Sequence, residues 1–209
     1  MDRKDHWEKI YRDKKPSEVS WFQREPARSL EWIQATTPSK DAGIIDIGGG
    51  ASVLVDRLLD LGYRRISVLD ISGAALGVTK ERLGIRAGQV RFVEADVTQC
   101  NIDLTCDLWH DRAVFHFLTE AEDRKRYADL LMQSLRPGGH VILAAFATDG
   151  PEKCSGLIVR RYDAALVLGE LGKEFRMIRE EAEVHRTPAE KEQRFRYYLL
   201  QRTPKETVS

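Results

Sequence analysis

Residues 44–52 read Ile-Ile-Asp-Ile-Gly-Gly-Gly-Ala-Ser, and a second apolar run, Ile66-Ser67-Val68-Leu69, ends in Asp70 eighteen residues after Ser52. The first run predicts a buried strand over 44–47 with Asp46 near its end, then three glycines, then at once an amphipathic helix. Glycine is placed where the backbone must take a positive φ or come very close to a ligand. A helix N-terminus behind such a loop presents unpaired N–H groups to negative or electron-rich atoms. An acid that ends the second strand sits where open α/β sheets put a carboxylate for ribose hydroxyls. The arrangement points to a nucleoside.

Spacing bears on which nucleoside. A dinucleotide fingerprint counted from Gly48 and Gly50 needs a third glycine at position 53, which is Val53. The pattern acid-x-Gly-x-Gly is met by Asp46, Gly48 and Gly50, with Gly49 between them. On these residues the chain resembles the class I S-adenosylmethionine-dependent methyltransferases, whose first motif has this form. That motif often carries a further glycine where this chain has Ser52, a residue able to cap the following helix. Taken alone, the loop is also consistent with a glycine-rich turn that binds nothing, because short glycine motifs recur by chance.

Composition narrows the setting. The 209 residues favour one domain with ample chain for a core. Thirty-three acidic and 33 basic residues balance to zero, so no positive field for nucleic acid is expected. The longest apolar stretch, 141–147, is too short to cross a bilayer, and the charged opening Met1-Asp2-Arg3-Lys4-Asp5-His6 has no apolar core of a secretory leader. Cys100, Cys106 and Cys154 show no metal-ligand spacing and form no disulfide framework. The expectation is a cytoplasmic protein with neither metal, nucleic-acid nor membrane partner; oligomeric state is left open.

Helical patterns fall at 3–13 and 24–36. From Ile44 onward, strand-like runs at 44–47, 66–70, 90–94, 106–110 and 140–146 alternate with helical patterns at 52–61, 72–83 and 120–135. Such alternation means βαβ units and a parallel sheet. Beyond residue 147 a turn-rich segment, 148–156, leads to a helix near 160–172 and two strand candidates, about 175–185 and 194–202. The fold expected is α/β: a mostly parallel, seven-stranded, Rossmann-like sheet with helices on both faces. The resemblance implies that the last strand enters antiparallel. The single domain, 1–209, divides into an N-terminal helical cap (1–38), a cofactor-binding core (40–147) and an acceptor-side loop with a C-terminal hairpin (148–209).

The resemblance implies S-adenosylmethionine as cofactor and assigns further residues. Asp70 accepts the ribose hydroxyls and Ile71 packs on adenine; Asp70 can equally serve as the acid at the start of the next helix. In Glu94-Ala95-Asp96-Val97 the acid that ends the third strand meets the adenine amino group beside Val97, or else is a turn residue. Arg136-Pro137-Gly138-Gly139 matches a turn familiar in the family and is structural, reversing the chain after a helix. The segment Asp107-Leu108-Trp109-His110-Asp111-Arg112-Ala113 runs off the fourth strand, at the sheet edge where ligands bind. Its Asp111-Arg112-Ala113 resembles a segment of the thiopurine methyltransferase-like branch, as do the spaced tryptophans Trp7 and Trp21. In that branch the tryptophan segment covers the cofactor and the arginine lies near the substrate. Asp111 as base or orienter and Arg112 as acceptor contact are the expected catalytic pair, with a loop-pinning ion bridge as the alternative. His116, among Val114, Phe115, Phe117 and Leu118, reads as a packing residue.

Methyl transfer from a sulfonium is an in-line displacement in which alignment supplies most of what the protein contributes, of order 7–11 kcal/mol at most. The function expected is transfer to a small-molecule acceptor. A protein lysine methyltransferase is the alternative. Third come a catalytically silent S-adenosylmethionine-binding protein and an NAD-dependent oxidoreductase, the latter weakened by Val53.

Overall fold

In the computed structural model, which describes residues 2–204, helices α1 (Arg3–Asp13) and α2 (Ala27–Thr36) precede the sheet. There follow β1 (Gly43–Ile47), α3 (Leu54–Asp60), β2 (Arg65–Asp70), α4 (Gly73–Leu83), β3 (Val90–Glu94) and β4 (Cys106–Arg112). Next come α5 (Ala121–Ser134) and β5 (Leu135–Phe146), then a small hairpin, β6 (Lys153–Cys154) with β7 (Leu157–Ile158). Helix α6 (Ala164–Leu171) and strands β8 (Phe175–Arg186) and β9 (Glu192–Arg202) follow. The seven-stranded sheet runs β3-β2-β1-β4-β5-β9-β8; β1 to β5 pair in parallel, and β9 enters antiparallel between β5 and β8.

Alternation along the strands sets the layers, because successive side chains leave a strand on opposite faces. Ile44, Val68, Leu108, Ile142 and Ala144 share one core with Trp32, Ile33, Leu54, Leu58 and Leu76 from α2, α3 and α4. Ile45, Ile47, Leu69, Trp109 and Leu143 share the other with Tyr127, Leu131, Val167 and Leu171 from α5 and α6. Among the described residues no helix is long and apolar enough to cross a membrane.

Several boundaries differ from the sequence expectation for local reasons. Helix α2 starts at Ala27 rather than 24, because Pro26 holds the preceding residue out of the helical region. Helix α3 starts at Leu54 rather than 52: Ser52 Oγ accepts the Leu54 N–H at 3.1 Å, ahead of the first helical turn. Helix α6 starts at Ala164 rather than 160, where Asp163 accepts the Leu166 N–H. The Arg136-Pro137-Gly138-Gly139 turn lies inside β5 as a bulge: Cys106 pairs with Leu135 and Leu108 with His140, and Gly138 takes φ 81°.

One buried hydrogen-bond chain ties β4 to α5. Trp109 Nε1 donates to the Tyr127 hydroxyl at 2.8 Å, and that hydroxyl donates to Asp111 Oδ2 at 2.7 Å. Tyr127→Phe keeps the ring against Phe115 but strands both partners in the core. It is expected to destabilise the fold by about 1–3 kcal/mol, read from urea denaturation; an unchanged midpoint would show that the chain contributes nothing.

Candidate functional site

The carboxyl ends of β1, β2 and β4 converge on the glycine loop. Gly48 follows β1 at φ 67°, and its N–H donates to Leu69 O at 2.7 Å; a Cβ there would fall inside the Val114 side chain. Gly50 donates to Asp70 Oδ2 at 2.9 Å, and a Cβ on it would stand 2.5 Å from that oxygen. Ser72, at the start of α4, donates to Asp70 Oδ1 at 2.8 Å. Thr79 Oγ1 reaches back from α4 to Gly50 O at 2.6 Å and secures the loop. Burial pushes the Asp70 carboxyl up to about 6, even though both N–H bonds favour its ionised form.

Two cavities adjoin this loop and share Tyr11, Trp21, Ile47, Gly48 and Arg112. The first lies against the carboxyl ends of β1, β2 and β4. Asp70, Ile71, Asp96 and Val97 line one end of it; Trp7, Tyr11, Trp21 and Phe117 line it as rings. Trp7 stands edge-on to Phe117 and Trp21, with centroids 4.9 and 5.5 Å away. The second cavity is lined by Ser29, Asp46, Gly49 and His110. A glycine cradle, an acid beside it and a flat apolar slot fit the ribose, adenine and chain of an adenosyl cofactor.

The cavity is roofed by α1, none of whose residues is buried. Polar bonds hold it down. Arg3 binds Asp96 at 3.3 Å and also pairs with Asp123, and Lys4 pairs with Glu94 at 2.6 Å. Glu8 Oε1 accepts the Gly73 N–H at 2.6 Å and so caps α4 from outside. Arg3, Glu8 and Tyr11 were not among the sequence candidates, because a polar helix far along the chain carries no sign of what it covers. Asp96 holds Thr98 N and Oγ1 through Oδ1, at 2.8 and 2.7 Å. It is therefore a turn-forming acid as well as a wall of the cavity.

The fourth strand separates the expected pair. Asp111 is fully buried on the α5 side of the sheet and lines neither cavity. Its Oδ1 accepts the Val114 and Phe115 N–H groups, and its Oδ2 accepts the Tyr127 hydroxyl. Burial raises its carboxyl to about 6. The neighbours His110 and Arg112 lie on the other side and line the cavities. Arg112 is anchored by Nε to the Tyr197 hydroxyl at 3.0 Å and by Nη1 to Trp21 O at 2.9 Å. Ala113 lines the first cavity at φ 71°, a left-handed conformation uncommon for a residue with a Cβ. The small residue after Asp111-Arg112 was the available signal for it. His116 is a core residue: burial drives its imidazole down to about 3, and Phe117 and Phe146 flank its ring.

Comparison with known proteins agrees with this geometry. Residues 44–139 match a family described as a methyltransferase domain. A mouse protein named eEF1A lysine and N-terminal methyltransferase is 29% identical over 121 residues, covering 57% of this chain and 17% of that protein. A zebrafish (Danio rerio) EEF1A lysine methyltransferase 2 is 28% identical over 135 residues, covering 60% and 57%. The chain thus aligns with less than two thirds of the length of either relative. Among solved structures, one from work on converting a disulfide bond into a thioacetal group in echinomycin biosynthesis superposes with TM-score 0.77. It is 16% identical and covers 99% of this chain and 94% of that one. The N-methyltransferase NodS of Bradyrhizobium japonicum, in complex with S-adenosylhomocysteine, superposes with TM-score 0.66 at 16% identity, covering 86% and 89%.

Two outcomes test the nucleoside end. Ribose hydroxyls donate to a carboxylate, so binding favours ionised Asp70. Affinity for S-adenosylhomocysteine is expected to fall as pH drops through about 6, where the free protein's Asp70 takes up a proton, and to be level above it. Asp70→Asn should weaken binding at neutral pH by about 1–3 kcal/mol and flatten that pH profile, as followed by calorimetry. Gly48→Val, which places a β-branched residue at positive φ inside Val114, should abolish binding while the circular dichroism spectrum stays that of a folded α/β protein. Normal binding by this variant would move the site elsewhere.

Proposed function

We propose that this chain, a class I S-adenosylmethionine-dependent methyltransferase, transfers the methyl group to a small-molecule acceptor by in-line displacement. The observation that carries the small acceptor is the roof: α1 closes over the cavity, and the rings of Trp7, Tyr11, Trp21 and Phe117 wall its interior. A protein side chain would have to thread past a helix that is bonded to β3, α4 and α5 through Lys4, Glu8 and Arg3.

Bound S-adenosylmethionine supplies a methyl group on a sulfonium, whose leaving group is a neutral thioether. The protein's own residues bind, align and exclude water. Asp70 would accept the ribose hydroxyls, Ile71 and Val97 would flank the base, and Asp96 would meet its amino group. The glycine loop lets the backbone approach closely. Aromatic faces at the other end attract a cation and keep water from it. Tyr11 and Arg112 are the ionisable side chains common to the linings of both cavities. Burial holds the Tyr11 phenol well above its ordinary range, and it already accepts the Trp21 indole N–H at 3.2 Å. Arg112 offers only donors. On this reading the acceptor arrives with its attacking atom already nucleophilic, and alignment is the principal contribution.

The lysine methyltransferases among the relatives motivate the second reading, in which the acceptor is a protein amine that must first lose a proton. Incubation with methyl-labelled S-adenosylmethionine and cell extract, split into low-molecular-weight and protein fractions, separates the two. Label is expected in the small-molecule fraction. Label confined to protein lysines would overturn the small-acceptor reading, and α1 would then have to lift for the substrate.

A further inference from the structure

The sheet ends on β8, and among the described residues no strand pairs with its outer edge. It is 12 residues long, whereas β3 at the opposite edge has five. In the hairpin turn Thr187 N–H donates to Lys191 O at 2.9 Å, which fixes the ladder behind it. In an antiparallel pair, alternate residues turn both peptide groups toward the same neighbour. Residues 179, 181, 183 and 185 therefore bond to β9, while Glu180, Ala182, Val184 and Arg186 hold their N–H and C=O groups outward. A bulge between Met177 and Arg179 interrupts the strand below them and leaves this stretch as the pairable edge. Unpaired peptide groups in a row are a template for another strand.

The side chains of that stretch complement a second copy of themselves. About a twofold axis at Glu183, Glu180 falls opposite Arg186 and Ala182 opposite Val184, and the same pairs recur beyond the axis. Both members of each pair direct their peptide groups outward, so each pair exchanges main-chain hydrogen bonds. Moving the axis to Ala182 instead sets Glu180 against Val184 and Glu181 against Glu183. Val184 is 55% exposed and Ala182 is exposed beside it; pairing about Glu183 covers both. Within one chain Glu180 meets Arg196 at 3.3 Å, and Arg186 meets Glu192 at 2.7 Å. Across the joint the row then runs Arg196, Glu180, and Arg186 and Glu192 of the second copy, alternating in sign. On the other face Glu181 and Glu183 pair with Arg28, and Glu183 stands 3.6 Å from Arg112. Glu183 thus meets its copy on the axis with its charge already offset. We propose that the chain forms a homodimer joined edge to edge through residues 180–186 of β8, the two sheets continuing as one.

Sedimentation velocity over roughly 1 to 100 μM is expected to show the wild-type protein at twice the chain mass in the upper part of that range. Ala182→Pro removes an outward N–H and spares the ladder to β9, so it should give monomer with an unchanged circular dichroism spectrum. Glu180→Arg changes an exposed side chain and sets like charges opposite Arg186. It should raise the dimer Kd roughly 10-fold or more, and it carries the test if the proline disturbs folding. Glu183→Cys is expected to cross-link to its own copy on mild oxidation, since such non-hydrogen-bonded neighbours have Cα atoms about 4.5 Å apart. Arg186→Cys, at the end of the segment and far from its copy, should not. A wild type that stays monomeric over that range, or a dimer unmoved by a folded Ala182→Pro or by Glu180→Arg, would overturn the proposal. So would cross-linking by Arg186→Cys and not by Glu183→Cys.

Discussion

The hydrogen bond from the Gly50 amide to Asp70 is the contact on which the rest of the site depends. A carboxylate removed from water must be met by donors, and Asp70 is met by the glycine loop through one oxygen and by the first turn of α4 through the other. One residue thereby fixes the end of β2, the height of the loop and the start of the next helix. The two bonds do not fully offset burial, since the carboxyl is still raised to about 6. The same contact explains why glycine is required at position 50: any Cβ would stand against both that carboxylate and Ala75.

Helix α1 closes the site by different physics. It buries no residue fully and lies over the cavity through ion pairs and one borrowed helix cap. Exposed ion pairs are individually weak, so the roof is held by several of them together with the Glu8 cap. The apolar part of its grip comes from Trp7, set between Trp21 and Phe117, rings that also line the first cavity. Closing the roof and building the aromatic wall are therefore one event.

The strand β4 shows where reading along the chain and reading in space part company. His110, Asp111 and Arg112 are consecutive, and as a polar trio they look like one functional group. A strand sends neighbours to opposite faces, so His110 and Arg112 face the cavities while Asp111 faces Trp109 and Tyr127. The buried acid then serves the fold, drawing the N–H groups of residues 114 and 115 into the turn after the strand. Its expected role as base rested on adjacency to the arginine. The alternation visible in Cys106 to Arg112 was the signal that would have separated them.

Beyond Ile71, Asp96 and Val97, which the resemblance implied and which line the first cavity, the sequence by itself determined the βαβ order and the glycine loop with its acid at Asp70. These depend on short-range pattern: apolar periodicity, glycine where the chain must turn, and acids at strand ends. The antiparallel last strand followed from the family resemblance and was realised as β9 between β5 and β8. Only the tertiary structure decided that α1 covers the cavity, that Ser29 from α2 and His110 from β4 brace Asp46, and that Arg112 turns toward the same cavity as Asp46. The contacts around Asp46 and Arg112 join residues 64 to 91 positions apart, and each is chosen by how two layers pack rather than by any local preference. Local pattern carries the elements and their order; which side chains meet above the sheet is a property of the packed layers alone.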